Sequence, residues 1–111
     1  MYAEGARSLM FPEQLPEKAV NRLGYAMLGK SKTALAIWVF ERNVRLYPKS
    51  VNVYDSLADG YLALGDTTAV IAQLRKAADV GRATGQPVSS ETLAKLRKME
   101  STKRPQSPDS K

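Results

Sequence analysis

Residues Gly24, Tyr25, Ala26, Met27, Leu28, Gly29, Lys30 and Ser31 fit the G-x-x-x-x-G-K-[ST] spacing of a phosphate-binding loop letter for letter. That chemistry needs backbone N–H groups wrapped round phosphate oxygens, a lysine reaching the terminal phosphates and a hydroxyl on magnesium. All of it must sit between a buried strand and a helix. A following helix is available here, but residues 19–23 are short, polar at Asn21 and Arg22, and helical in their apolar spacing. The rest of the chain supplies no βαβ unit to build a parallel sheet around the loop. A second candidate is the pair Asp55 and Asp59, four apart and so on one helix face. Paired acids can hold a divalent ion or exchange protons, but no third carboxylate or base accompanies them, and an acidic strip on a helix is the simpler reading.

Composition narrows the chemistry further. The 111 residues include no cysteine and no histidine. Disulfides, thiolate metal sites, imidazole bases and a Ser-His-Asp triad are thereby excluded from this chain. No catalytic residue, metal or cofactor is expected. The longest apolar run, residues 34–40, falls far short of the ~20 residues of a membrane span, and no basic segment followed by an apolar block marks a secretory signal. A cytoplasmic protein with no membrane association is the expectation. The net charge is +6, of which +4 lies from Lys95 onward, in Lys95, Arg97, Lys98, Lys103, Arg104 and Lys111 against Glu100 and Asp109. The excess therefore belongs mainly to a C-terminal helix and tail, the rest of the chain carrying only +2.

The elements that position these residues follow from periodicity. Residues 1–16 form an N-terminal segment in which Leu9, Met10 and Phe11 make a small apolar cluster, set off by Pro12 and Pro16. Pro16 suits the first position of a helix, carried by Ala19, Val20, Leu23, Met27 and Leu28. A second helix is expected from about Lys32, with Ser31 as N-cap, through Leu35, Ala36, Val39, Phe40, Val44 and Leu46, stopping at Tyr47-Pro48. Ser50 should cap a third, striped by Val53, Tyr54, Leu57, Tyr61, Leu62 and Leu64. Asp66 should cap a fourth through Ala69, Val70, Ile71, Leu74, Ala77, Ala78 and Val80, which residues 81–87 end. A last helix, about residues 90–98, carries Leu93, Leu96 and Met99, and residues 101–111 read as a disordered basic tail because they lack apolar side chains.

Sliding residues 18–47 onto 52–81 superposes Leu23 on Leu57, Leu28 on Leu62, Thr33 on Thr67 and Ile37 on Ile71, an offset of 34. That is the period of a helix-turn-helix repeat. Gly24 then reads as a helix-packing residue and residues 29–31 as an inter-helix turn, which removes both glycines from the phosphate-loop reading.

Leu23-Gly24 with Met27, Ala36, Phe40 and Pro48, then Tyr54, Leu57, Tyr61, Gly65-Asp66 and Ala77, resemble the tetratricopeptide repeat in two consecutive copies. Asn43 departs from the small residue usual there, and Arg82 from the closing proline. The runs NRLGYAML, VFERNVRLYPKSVNVYDSLADGYLALGD and KAADVGRATGQP are also similar to the helical repeat tail of bacterial esterases of the α/β-hydrolase class. The resemblance implies an all-α fold over residues 17–100: two hairpins forming a right-handed α-solenoid, plus a C-terminal capping helix. It further implies a non-catalytic interaction or scaffolding module, accessory to or derived from an esterase-like hydrolase, since chemistry in that family belongs to an upstream domain.

In such arrays the first helix of each pair lines the concave face. By that analogy Lys18, Asn21, Arg22 and Tyr25, with Asn52, Asp55, Ser56 and Asp59, face a protein or peptide partner or a neighbouring hydrolase domain. The acids Asp55 and Asp59 would repel a carboxylate and favour a mixed-charge or basic partner. Leu9, Met10, Phe11 and Trp38 are candidates for self-association into a homo-oligomer. Two alternatives make different predictions: nucleic-acid binding through Lys95, Arg97, Lys98, Lys103 and Arg104, and nucleotide hydrolysis at Lys30 and Ser31.

Overall fold

The computed structural model describes residues 15–103, and within them the chain is all-helical, with no strand. The helices are α1 (Glu17–Gly29), α2 (Thr33–Leu46), α3 (Val51–Leu64), α4 (Thr67–Thr84) and α5 (Ser90–Lys103). Each packs against its neighbour in sequence, and α1 also reaches α3. The Leu9-Met10-Phe11 cluster and the tail from Arg104 lie outside the described residues. The last helix continues to Lys103, past its expected end near residue 98, and α4 runs through Gly81 to Thr84.

Two turns built on one plan join the helices of each pair. At the end of α1 the Lys32 N–H donates to Met27 O and the Ser31 N–H to Leu28 O. At the end of α3 the Asp66 N–H donates to Tyr61 O and the Gly65 N–H to Leu62 O. Both satisfy otherwise orphaned helix carbonyls through a residue in the left-handed region, Ser31 at φ 61° and Gly65 at φ 87°. Ser31 is thus not the N-cap expected of it: its backbone closes α1, and Lys32, which has no acceptor to offer, occupies the N-cap of α2. Asp66 does cap α4, its Oδ1 accepting from the Ala69 N–H at 3.1 Å.

The third helix begins differently from the expectation. Ser50 sits at the N-cap of α3 with no side-chain cap bond, and its hydroxyl donates to Glu17 Oε2 at 2.7 Å. The Val51 N–H is taken by the side chain of Gln86, whose Oε1 accepts it at 3.1 Å while its Nε2 donates to Lys49 O at 2.5 Å. The start of α1 is also held from a distance. Asn43 Nδ2 donates to Glu17 O at 3.0 Å, and the Tyr47 hydroxyl to Leu15 O at 2.7 Å. Pro16 is the N-cap of α1, one place before the first helical position, its carbonyl accepting from the Ala19 and Val20 amides.

The core steps along the chain in three overlapping clusters. Ala36, Ile37, Phe40 and Leu57 join with Met27 and Leu28; Val53, Tyr54 and Ala77 join with Val44 and Val80; Ala58, Val70 and Leu74 join with Leu96 and Met99. Val44 and Tyr61 each belong to two of them. Phe40 is fully buried between two glycines: a Cβ on Gly24 would lie 2.3 Å from its ring, and one on Gly60 would lie 3.2 Å from it. Leu23, Leu35, Leu62, Leu64 and Leu93, expected on the apolar faces, are 40%, 46%, 47%, 56% and 37% exposed. The 3.6-residue period fixes a face only to within a residue, and these five fall at its margin.

Candidate interaction surface

Alternate helices bring corresponding positions side by side. The Tyr25 hydroxyl on α1 donates to Asp59 Oδ2 on α3 at 2.5 Å, across a sequence separation of 34. Asp59 Oδ1 in turn accepts from Lys95 Nζ on α5 at 3.2 Å, so one carboxylate bridges three helices. Alongside, Ser56 Oγ donates to Asn21 Oδ1, and Thr92 Oγ1 donates to Asp55 Oδ1 at 3.0 Å. Ser89 orients Thr92 from the start of α5: its hydroxyl donates to Thr92 Oγ1 and accepts the Thr92 N–H.

Of the eight residues assigned to this face by analogy, Lys18, Arg22, Tyr25 and Asn52 are exposed, whereas Asn21, Asp55 and Asp59 are half-buried. Ser56 is 2% exposed and serves the α1–α3 junction, so it cannot meet a partner in this arrangement. Asn52 and Asp55 line a cleft of about 300 Å³ with Val51, Gln86, Pro87, Ser89 and Thr92. The acids are not a bare strip, since Asp59 is balanced by Lys95. Thr92 and Lys95 were not assigned to this face from the sequence. Their partners lie 37 and 36 positions away, because the longer linker 85–89 displaces α5 from the 34-residue register.

The electrostatics follow from that packing. The Tyr25 phenol is held above its ordinary range, first by burial against its neighbours and then by the hydrogen bond to Asp59, with the charges of Asp59 and Asp55 adding to the effect. Tyr25 also meets Phe40 edge-to-face with ring centroids 5.0 Å apart, which couples the polar face to the core.

On the opposite side of α3, Tyr54, Leu57 and Tyr61 floor an open groove of about 540 Å³. Its walls are Glu41, Val44 and Arg45 from α2, and Ala72, Gln73 and Lys76 from α4. The Tyr61 hydroxyl donates to Glu41 Oε2 at 2.9 Å, and the Tyr54 hydroxyl to Pro48 O at 2.6 Å.

The remaining candidates have definite places. Gly24 lies mid-helix against Phe40, the amides of Lys30, Ser31 and Lys32 are bonded to carbonyls of α1, and the phosphate-loop letters therefore form no anion cradle. Asp55 and Asp59 accept hydrogen bonds from Thr92, Tyr25 and Lys95, and among the described residues no cluster of acids could hold a metal ion. Trp38 is 48% exposed on α2. Lys95 is paired with Asp59, while Arg97 and Lys98 are exposed on α5 and Arg104 lies beyond the described residues. Among the described residues no helix is long and apolar enough to cross a membrane. No family model matches the chain, and no curated protein matches it either.

Proposed function

We propose that this chain is a non-catalytic protein–protein interaction or scaffolding module: two tetratricopeptide-like hairpins stacked as a right-handed solenoid, with α5 as the cap. The observation that carries the reading is the bond between Tyr25 and Asp59, which occupy the same position in successive repeats and touch across α1 and α3. A stack in which each repeat contacts its neighbours offers an extended surface rather than an enclosed reaction centre. The exposed part of that surface comprises Lys18, Arg22, Tyr25 and Asn52. Its partner is a protein or peptide, or a neighbouring domain of an esterase-like hydrolase of which this chain is an accessory.

The test is site-specific photocrosslinking from Asn52 in cells. One protein adduct that disappears when Lys18 and Arg22 are both changed to glutamate is the expected result. Ester or ATP hydrolysis by the isolated chain, or adducts to nucleic acid alone, would overturn the reading.

A further inference from the structure

We infer that the groove between α2 and α4 is a second docking site, and that its occupant is an acidic peptide segment carrying a large apolar side chain. This rests on the interaction-module reading but lies on the other side of α3 from the surface described for it. Tyr54, Leu57 and Tyr61 project roughly opposite to Asn52, Asp55 and Asp59 because residues two apart on a helix differ by about 200°.

Two observations define the occupant. The groove offers aromatic and aliphatic carbon chiefly at the half-buried Tyr61 and Val44, over the buried Tyr54 and Leu57, and the hydroxyls of Tyr54 and Tyr61 are already engaged by Pro48 O and Glu41. The rim is cationic. Arg45 and Lys76 are exposed on facing walls and form no ion pair among the described residues. Glu41, the one rim acid, has an oxygen committed to Tyr61. An apolar anchor seated against Tyr61 and Val44, with carboxylates reaching Arg45 and Lys76, satisfies both features. A second copy of this chain fits less well, since each copy carries +6.

The repeat also suggests a way to close the groove. Ala72, on its wall, occupies the place in the second repeat that Trp38 occupies in the first. The fold accepts an indole at that position of α2, so Ala72→Trp is a way to fill the groove without disturbing the core.

The experiment uses a short fluorescent peptide with a central tryptophan–leucine pair flanked by glutamates, titrated with the full chain and followed by anisotropy. Saturable binding is expected, weakening as salt rises from about 50 to 200 mM. It should fall by about tenfold or more in Ala72→Trp, and similarly in Arg45→Glu with Lys76→Glu. Lys18→Glu with Arg22→Glu should leave it unchanged. Circular dichroism checks that each variant remains helical; if Ala72→Trp unfolds, the charge-reversal pair alone decides. The proposal is overturned if the peptide does not bind, if binding survives the groove variants, or if a lysine-flanked peptide binds as well. Concentration-dependent dimerisation lost in Ala72→Trp would also overturn it, by making a second copy the occupant. Binding lost only in the Lys18 and Arg22 variant would sink the groove while leaving the module reading intact.

Discussion

Ser31 and Gly65 stand 34 positions apart and adopt the same left-handed backbone conformation, each closing a helix through the same pair of N–H to carbonyl bonds. The repeat is therefore present in backbone hydrogen bonding as well as in side-chain pattern. Its two copies are unequally made, for serine carries a Cβ where glycine carries none.

From that inequality, grafting the second turn onto the first should stabilise the protein. Ser31→Gly relieves a left-handed conformation costing roughly 1 kcal/mol. Lys32→Asp supplies the cap that Asp66 gives α4, worth about 1 kcal/mol. Each change should raise the urea midpoint with an unchanged slope. A midpoint that stays put or falls would show that the turn is not the weak point.

Gly24→Ala should cost stability despite alanine's better helix propensity. Its Cβ would lie 2.3 Å from the ring of Phe40, which is fully buried and has nowhere to retreat. Overpacking of this kind costs about 1–3 kcal/mol, against a propensity gain of at most ~1. Gly29→Ala is the control, since nothing lies within 4 Å of that Cβ, and it should be neutral or mildly stabilising. Thermal melts of both, with Gly24→Ala and Phe40→Leu combined as the rescue, distinguish packing from propensity.

Tyr25→Phe should flatten the loss of stability at alkaline pH. The Tyr25 phenol is raised in the folded state by burial and by its bond to Asp59, and those of Tyr54 and Tyr61 are raised too, chiefly by burial. A raised phenol stabilises the fold fully below the unfolded value of about 10, and that contribution is lost as pH rises through the folded value. Urea melts between pH 8 and 11 should show a shallower decline in the Phe variant. Identical slopes for both proteins would mean that Tyr25 titrates freely.

Gln86→Ala should loosen the start of α3. It removes the acceptor for the Val51 N–H and the donor to Lys49 O; Val51 is the first residue of α3, one place before the amides an N-cap side chain serves, and the Ser50 proton is already given to Glu17. The expected cost is about 1–2 kcal/mol. Hydrogen exchange should speed up at residues 51–53, whereas unchanged protection there would point to a rescue by Ser50.

Asp59→Asn and Lys95→Met, alone and together, measure how firmly this pair ties α5 to α3. Both side chains are about 30% exposed, so their coupling should be at most ~1 kcal/mol and should shrink in salt. A coupling indistinguishable from zero would leave the Thr92–Asp55 bond, the Arg75–Glu100 pair and the packing of Leu96 and Met99 to hold the helix.

Much of the framework was legible because it depends on local rules. The apolar period placed five helices, Asp66 announced its cap three residues before Ala69, and the offset of Leu23 on Leu57 or Phe40 on Leu74 exposed the repeat. The same offset predicted that Gly24 is a packing residue, and Phe40 supplies the reason. Legibility failed where a side chain had two possible partners. Ser31 and Ser50 carry the usual capping hydroxyl, yet one is in a left-handed turn and the other is claimed by Glu17. Asn43, a departure from the repeat pattern, holds the start of α1 from 26 positions away.

By itself, then, the sequence determined that this protein is helical, that its units recur every 34 residues, and that it lacks the cysteine and histidine of many catalytic sites. Only the tertiary structure decided which polar groups meet. Ser56 was withdrawn into a junction, Lys95 was brought onto Asp59, and a groove was left above Tyr54 and Tyr61 with Ala72 on its wall. The physical reason is that periodicity constrains one helix face at a time. Hydrogen bonds and cavities between helices depend on their separation and rotation, which the packing of all the side chains sets together.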